Sequence, residues 1–94
     1  MKNENRFIKE FGVQYAKWLI GEEGLGECKV YLSGDTFDKP TTISCRNLKR
    51  LVESWELIEK YRINKENINW VLSKLNSNAR HRIMQAWVDV ESCQ

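Results

Sequence analysis

Side chains able to do chemistry are sparse in this 94-residue sequence: His81 is its only histidine, and Cys28, Cys45 and Cys93 are its three cysteines. A histidine works as a general base beside a substrate pocket, and a thiol becomes a nucleophile when a neighbour stabilises its thiolate. No HxxxH, CxxC, GxGxxG or paired His–carboxylate spacing supplies such a neighbour. A zinc site built from Cys28, Cys45, His81 and Cys93 would lack both of the close ligand pairs that structural zinc sites use. Cys93 instead extends the apolar spacing of Ala79, Ile83, Ala86, Trp87 and Val90, as a core thiol does. Three widely spaced cysteines also make no disulfide framework. The expectation is a protein that is not an enzyme, with no cofactor and no metal, and with His81 on the surface.

Binding chemistry has better candidates. Arg46, Lys49 and Arg50 fill the first half of a helical stretch whose second half carries Glu53, Glu56 and Glu59. This order opposes the helix dipole, at roughly a few tenths to 1 kcal/mol for each charge near an end. It reads either as a solvated face or as a basic patch kept for a partner. Glu56 and Lys60 form a correctly oriented i, i+4 pair that offsets a little of the cost. Leu57 and Trp70 sit nearly opposite the apolar stripes of their own helices, and large apolar groups there suggest contact anchors unless another element covers them. Arg80, His81, Arg82 and Gln85 open a second helix after Asn76-Ser77-Asn78. Arginine and glutamine in that position of a helix-turn-helix can reach guanine and adenine. Against this, Asp89 and Glu91 would put negative charge near phosphates if they shared that side.

The elements that must position these groups are mostly helical. From residue 44 onward, three apolar stripes follow the i, i+3, i+4, i+7 rule: Leu48, Leu51, Val52, Trp55 and Ile58; then Ile68, Val71, Leu72 and Leu75; then Ile83, Ala86, Trp87 and Val90. An earlier helix is expected from about Glu4 to Ile20, with Phe7, Ile8, Phe11, Tyr15, Trp18 and Leu19 on one face. Gly12 lies inside it, where close approach of a neighbouring helix would compensate its cost of about 1 kcal/mol against alanine. Gly21 is placed to end it. Cys28 to Ser33 is the best strand, with a return through Thr36-Phe37 or Thr41-Thr42-Ile43, and Pro40 holds any such strand to an edge. Ser44 or Thr42 is expected to cap the second helix, which runs to about Tyr61. Asn64 is expected to cap a short helix from Lys65 to Leu75, and Asn78 the last one.

Length and composition set the frame. Ninety-four residues make one domain with a modest core. A composition of 41% hydrophobic and 30% charged residues excludes a disordered tail. The net charge of +2 is too weak to mark a dedicated nucleic-acid binder, although a local patch can sit inside a mild average. No apolar run approaches the roughly 20 residues that span a bilayer, and the stretch from Met1 to Arg6 leads into no signal-peptide core. The expected location, by default, is the cytoplasm.

The stretch Asn47-Leu48-Lys49-Arg50-Leu51-Val52-Glu53-Ser54-Trp55-Glu56-Leu57-Ile58-Glu59, with the ending Ala86-Trp87-Val88-Asp89-Val90-Glu91-Ser92-Cys93-Gln94, resembles small accessory proteins from the early operons of lambda-like phages. That group includes anti-RecBCD accessory factors. The likeness covers roughly the C-terminal half, consists mainly of helical core positions, and carries no catalytic motif. It implies a phage or prophage protein that modulates a host machine, such as recombination or nuclease machinery, by binding it.

Together these observations give a single domain over residues 1–94, mainly α. It is expected to be a compact bundle of about four helices, with a short β-hairpin or an ordered loop between the first and second. Its expected core is Phe11, Trp18, Leu51, Trp55, Val71, Leu75, Ile83 and Trp87. The first expected function is binding to a host protein through Arg46, Lys49, Arg50, Leu57 and Trp70. The second is DNA binding through Arg80, His81, Arg82 and Gln85, and the third a homodimer through the off-stripe apolar residues. Base readout should weaken steeply with salt and on Arg80→Ala or Arg82→Ala. An apolar protein interface should tolerate salt and fail on Leu57→Ala or Trp70→Ala. A dimer should show a concentration-dependent mass by light scattering.

Overall fold

The computed structural model describes residues 2–93; Met1 and Gln94, at the outer ends of the N-terminal and phage-like stretches above, lie outside the described residues. The order is α1 (Lys2–Phe11), α2 (Val13–Glu23), β1 (Glu27–Val30), β2 (Thr41–Ser44), α3 (Cys45–Lys60), α4 (Ile68–Ser73) and α5 (Ser77–Glu91). The chain is mainly helical with one two-stranded antiparallel sheet, and its described helices number five rather than four. None of them is long and apolar enough to cross a membrane.

The extra helix arises at Gly12. Its backbone sits at φ 91°, ψ 167°, a conformation open essentially to glycine, and a Cβ there would meet nothing within 4 Å. The glycine is therefore a corner and not a close-approach site. Both helical ladders survive it: Gly12 N–H donates to the Ile8 carbonyl at 2.8 Å, and its own carbonyl accepts from Ala16 at 3.2 Å. The corner resets the helical phase. Phe7 and Ile8 face the core from α1, and Ala16 and Leu19 face it from α2. Phe11 and Trp18, expected inside, are 40% and 55% exposed. With Tyr15 between them they form a ladder along the outside, with neighbouring ring centroids 5.2 and 5.4 Å apart. Gly21 does not end α2; the helix continues to Glu23 and stops at Gly24, at φ 73°, whose N–H reaches the Ile20 carbonyl.

The hairpin forms with the Thr41-Thr42-Ile43 return, pairing Glu27 with Ser44 and Val30 with Thr41; Thr36 makes one isolated bridge to Lys39. The first strand is shorter than expected because Asp35 folds the chain back after Val30. Its Oδ2 accepts from the Leu32 N–H at 2.8 Å and from the Thr41 hydroxyl at 2.7 Å, and these donors, with Arg6 nearby, hold its carboxyl below the usual carboxylate range. A lone hairpin is marginal, and α1 anchors this one. Glu4, buried, accepts from the Ser44 N–H at 2.9 Å, while the Glu10 carboxylate takes both the N–H and the hydroxyl of Ser33. Ser44 in turn caps α3 by accepting from the Asn47 N–H.

Two apolar clusters result. Phe7, Ile43, Leu48, Leu51 and Val52 anchor one between α1, α2, the hairpin and α3. Ile58, Ile63, Ile83, Ala86 and Val90 form the other between α3 and α5, and Trp55 touches both. Of the expected core, Leu51 and Ile83 are buried, while Trp55, Val71, Leu75 and Trp87 are half-buried. The α4 region is reordered: the Asn64 side chain takes the N–H groups of Glu66 and Asn67 in a turn, so the helix begins only at Ile68. The last helix is capped by Asn76, which accepts from the Ala79 N–H, and not by Asn78.

Gly12→Ala decides between a corner and a continuous helix. At this φ the alanine should cost about 1–3 kcal/mol in urea unfolding. A continuous helix would instead gain about 1 kcal/mol from the same change.

Candidate functional site

The seam between α3 and α5 is held by a buried carboxylate. Asp89, 3% exposed, accepts from the Ser54 hydroxyl at 2.8 Å, from Arg50 Nε and Nη2 at 3.3 and 3.2 Å, and from the Gln85 amide nitrogen Nε2 at 3.2 Å. Four donors from two helices satisfy a group that would otherwise be very costly to bury. This explains the awkward charge order of α3, because Arg50 is needed at the seam. Lys49 pairs with Glu53, and Glu56 pairs with Lys17 of α2 in place of Lys60. Arg46 is exposed, with no acidic partner within 4.0 Å among the described residues. The expected patch therefore divides: Arg50 is engaged internally, and Arg46 and Lys49 remain on the outer edge.

Leu57 and Trp70 do not meet in one patch. Leu57 is half-buried and lines a groove of about 210 Å³ with Tyr61, Val71, Leu75, Ala79, Arg82 and Ile83. Trp70 is 64% exposed, and helical spacing puts it on the outer side of α4, away from Leu72 and Leu75, with the Lys74 ammonium 5.7 Å from its ring centroid. The expected DNA-reading set divides as well. Arg80 donates to the Leu72 and Leu75 carbonyls and so caps the end of α4, and Gln85 is tied to Asp89. His81 and Arg82 stay exposed on α5. Burial of Asp89 removes one objection to a nucleic-acid surface, since its charge faces the core.

The α4 end is the least finished part of the molecule. No residue of α4 is buried. The Leu57 groove flanks it on one side; on the other, Ile68, Leu72, Met84, Trp87 and Val88 line a second hollow of about 180 Å³. A third and broader cleft of about 610 Å³ opens below the α3–α4 turn, with Trp55, Ile63 and Trp87 on its walls and Glu59, Arg62, Lys65 and Glu91 among its polar residues. The radius of gyration, 14.7 Å, exceeds the roughly 12 Å of a compact chain of this length, and the extents of 49 × 24 × 18 Å show the elongation. The charge is lopsided too. Residues 60–82 hold Lys60, Arg62, Lys65, Lys74, Arg80 and Arg82 against the single carboxylate Glu66. A windowed charge count would have found this basic end from the sequence, whereas the groove needs the packing of three helices to become visible.

The thiols show no arrangement for nucleophilic chemistry. Cys28 and Cys45 lie with their sulfurs 3.7 Å apart beneath the hairpin, and burial, then the neighbouring Cys45 thiol, pushes Cys28 up to about 11. Burial likewise raises Cys93, partly opposed by the indole of Trp55 and by Ser92. The Trp55 N–H is itself buried with no partner of hydrogen-bonding geometry among the described residues, so its approach to the Cys93 sulfur is at most a loose contact. His81 is remote from this set on the exposed side of α5, and among the described residues no three His, Cys, Asp or Glu side chains converge on a metal position. No protein-family model, curated protein or solved structure matches the chain.

Asp89→Ala should lower unfolding stability by about 3 kcal/mol, because Ser54 and Arg50 lose their acceptor at a buried site. Arg50→Ala should cost less, about 1–2 kcal/mol, since its side chain is half exposed and Ser54 and Gln85 still hold the carboxylate. Chemical denaturation of both variants checks the order, and the reverse order would contradict this account of the seam.

Proposed function

We propose that this protein is a small phage or prophage accessory factor that acts in the bacterial cytoplasm by binding a host protein, with no chemistry of its own. The observation that carries the binding reading is the α4 end: a helix with no buried residue, flanked on both sides by apolar hollows. Globular chains seldom leave contiguous apolar surface uncovered unless something docks there. The phage attribution rests on the resemblance of residues 47–59 and 86–94 to early-operon accessory proteins, for which recombination or nuclease machinery is the target class. Of the expected contact residues, Leu57 keeps its role as an anchor in the groove. Arg46 and Lys49 extend the same edge of α3 as outer contacts, and Trp70 offers a separate contact on the far side of α4.

Immobilised wild-type protein exposed to nuclease-treated bacterial lysate should retain a defined host protein that Leu57→Asp loses. The retention should persist at raised salt, as an apolar anchor allows. Retention that vanishes with nuclease, or that Leu57→Asp leaves intact, would contradict docking at this face. A mass that doubles with concentration and reverts in Leu57→Asp would replace the host partner by a second copy.

A further inference from the structure

The groove between Leu57 and Ile83 carries information about its occupant, and the inference rests on the docking reading above. Its floor is apolar: Leu57, Val71, Leu75, Ala79 and Ile83 leave the Tyr61 hydroxyl and Arg82 as the polar side-chain groups of the lining. Its surroundings are cationic. Arg82 is exposed and has no acidic partner within 4.0 Å among the described residues. Lys60 is exposed beside Tyr61, whereas the Lys74 ammonium lies 5.7 Å from the Trp70 ring on the outer side of α4; along α3, Arg46 and Arg50 share the edge of Leu57 with Glu53, whose carboxylate pairs with Lys49 at 3.9 Å. Arg50 is turned inward to Asp89, whereas Arg46, Lys60 and Arg82 are exposed. The broader cleft under the α3–α4 turn lacks this bias, because Glu59 and Glu91 balance Arg62 and Lys65 there.

We infer that the Leu57–Ile83 groove binds an acidic amphipathic helix of a partner protein, with apolar side chains on its floor and carboxylates toward Arg82 and Lys60. The groove walls are three helices, so the matching mode is a helix laid in a groove, anchored at i, i+3 or i+4, and i+7. A single nucleic-acid strand fits less well. Successive bases need successive exposed rings to stack on, and among the described residues the groove lining supplies Tyr61 alone, while Trp70 stands on the outer side of α4. A second copy fits less well again, because a two-fold interface would bring the same cationic rim against itself.

The test uses three probes against the isotope-labelled full chain. One is a synthetic amphipathic peptide with Leu at helical spacing and Glu elsewhere, one is its Lys counterpart, and one is an oligothymidylate. The Glu peptide should shift the amide resonances of Leu57, Val71, Leu75 and Ile83, while neither the Lys peptide nor the oligonucleotide does so at the same concentration. Arg82→Glu should weaken the Glu peptide by roughly tenfold, as expected when an attractive rim contact becomes repulsive. Phe37→Ala, at an exposed position in the hairpin loop, should leave it unchanged, and amide spectra of each variant confirm folding. Equal binding of both peptides, preferential binding of the oligonucleotide, shifts confined to another face, or no shift at all would overturn the inference. Should the Glu peptide fail while lysate capture still depends on Leu57, the docking face stands and the acidic-helix occupant falls. Should both fail, the face itself is wrong.

Discussion

A carboxylate buried where two helices cross must be met by donors, and in this protein Asp89 sets the terms on which α3 and α5 pack. Ser54 and Arg50 approach it from α3, and Gln85 from one turn earlier in α5. Apolar side chains tolerate a small slide of one helix along another, whereas this set of hydrogen bonds does not. The register it fixes seats Leu51 and Val52 toward the N-terminal cluster and Ile58 opposite Ile83 and Ala86. Removing the aspartate would therefore disturb more than one ion pair, because both clusters inherit their alignment from it.

The two ends of this rigid seam are completed very differently. At the N-terminal end, the α1–α2 corner and the hairpin close over α3, and the polar connections are themselves anchored: Glu4 at the start of α3, Glu10 on Ser33, Asp35 across the hairpin loop. At the other end, α4 is too short to cover the exposed flanks of α3 and α5. Its start is consumed by the Asn64–Asn67 turn, and its C-terminal carbonyls are capped by Arg80 from α5. It is thus held mainly by its termini and rests on half-buried Val71, Leu72 and Leu75, which leaves grooves along both sides. The elongation of the molecule follows from this asymmetry, and so does the proposed function, in which a partner covers what α4 does not.

Much of the architecture was legible in residue spacing. The stripes through Leu48–Ile58 and Ile83–Val90 face inward as periodicity requires, the Thr41-Thr42-Ile43 return pairs with the first strand, and Ser44 caps α3. Errors arose where one backbone conformation redirected everything after it. A positive φ at Gly12 leaves no trace in hydrophobic periodicity, which therefore predicts one helix where two occur and places Phe11 and Trp18 in the core they turn away from. Asn64 and Asn76 show a second ambiguity: asparagine favours both turns and caps, and only the chain around it selects which. The candidate contact residues are the hardest to read. Arg50, Arg80 and Gln85 have the side chains of contact residues, yet their donors are directed to Asp89 and to the end of α4. Charge at a sequence position does not reveal whether an internal acceptor lies within reach.

The proposed completion of the α4 end by a partner is read most directly by amide hydrogen exchange. In the free protein, the amides of α4 should exchange far faster than the central amides of α3 and α5, because no buried side chain holds that helix in place. In complex with the captured host protein, α4 amides and those around Leu57 and Ile83 should slow, with the hairpin unchanged. Protection of α4 equal to that of α5 in the free protein, or no added protection on binding, would contradict the claim.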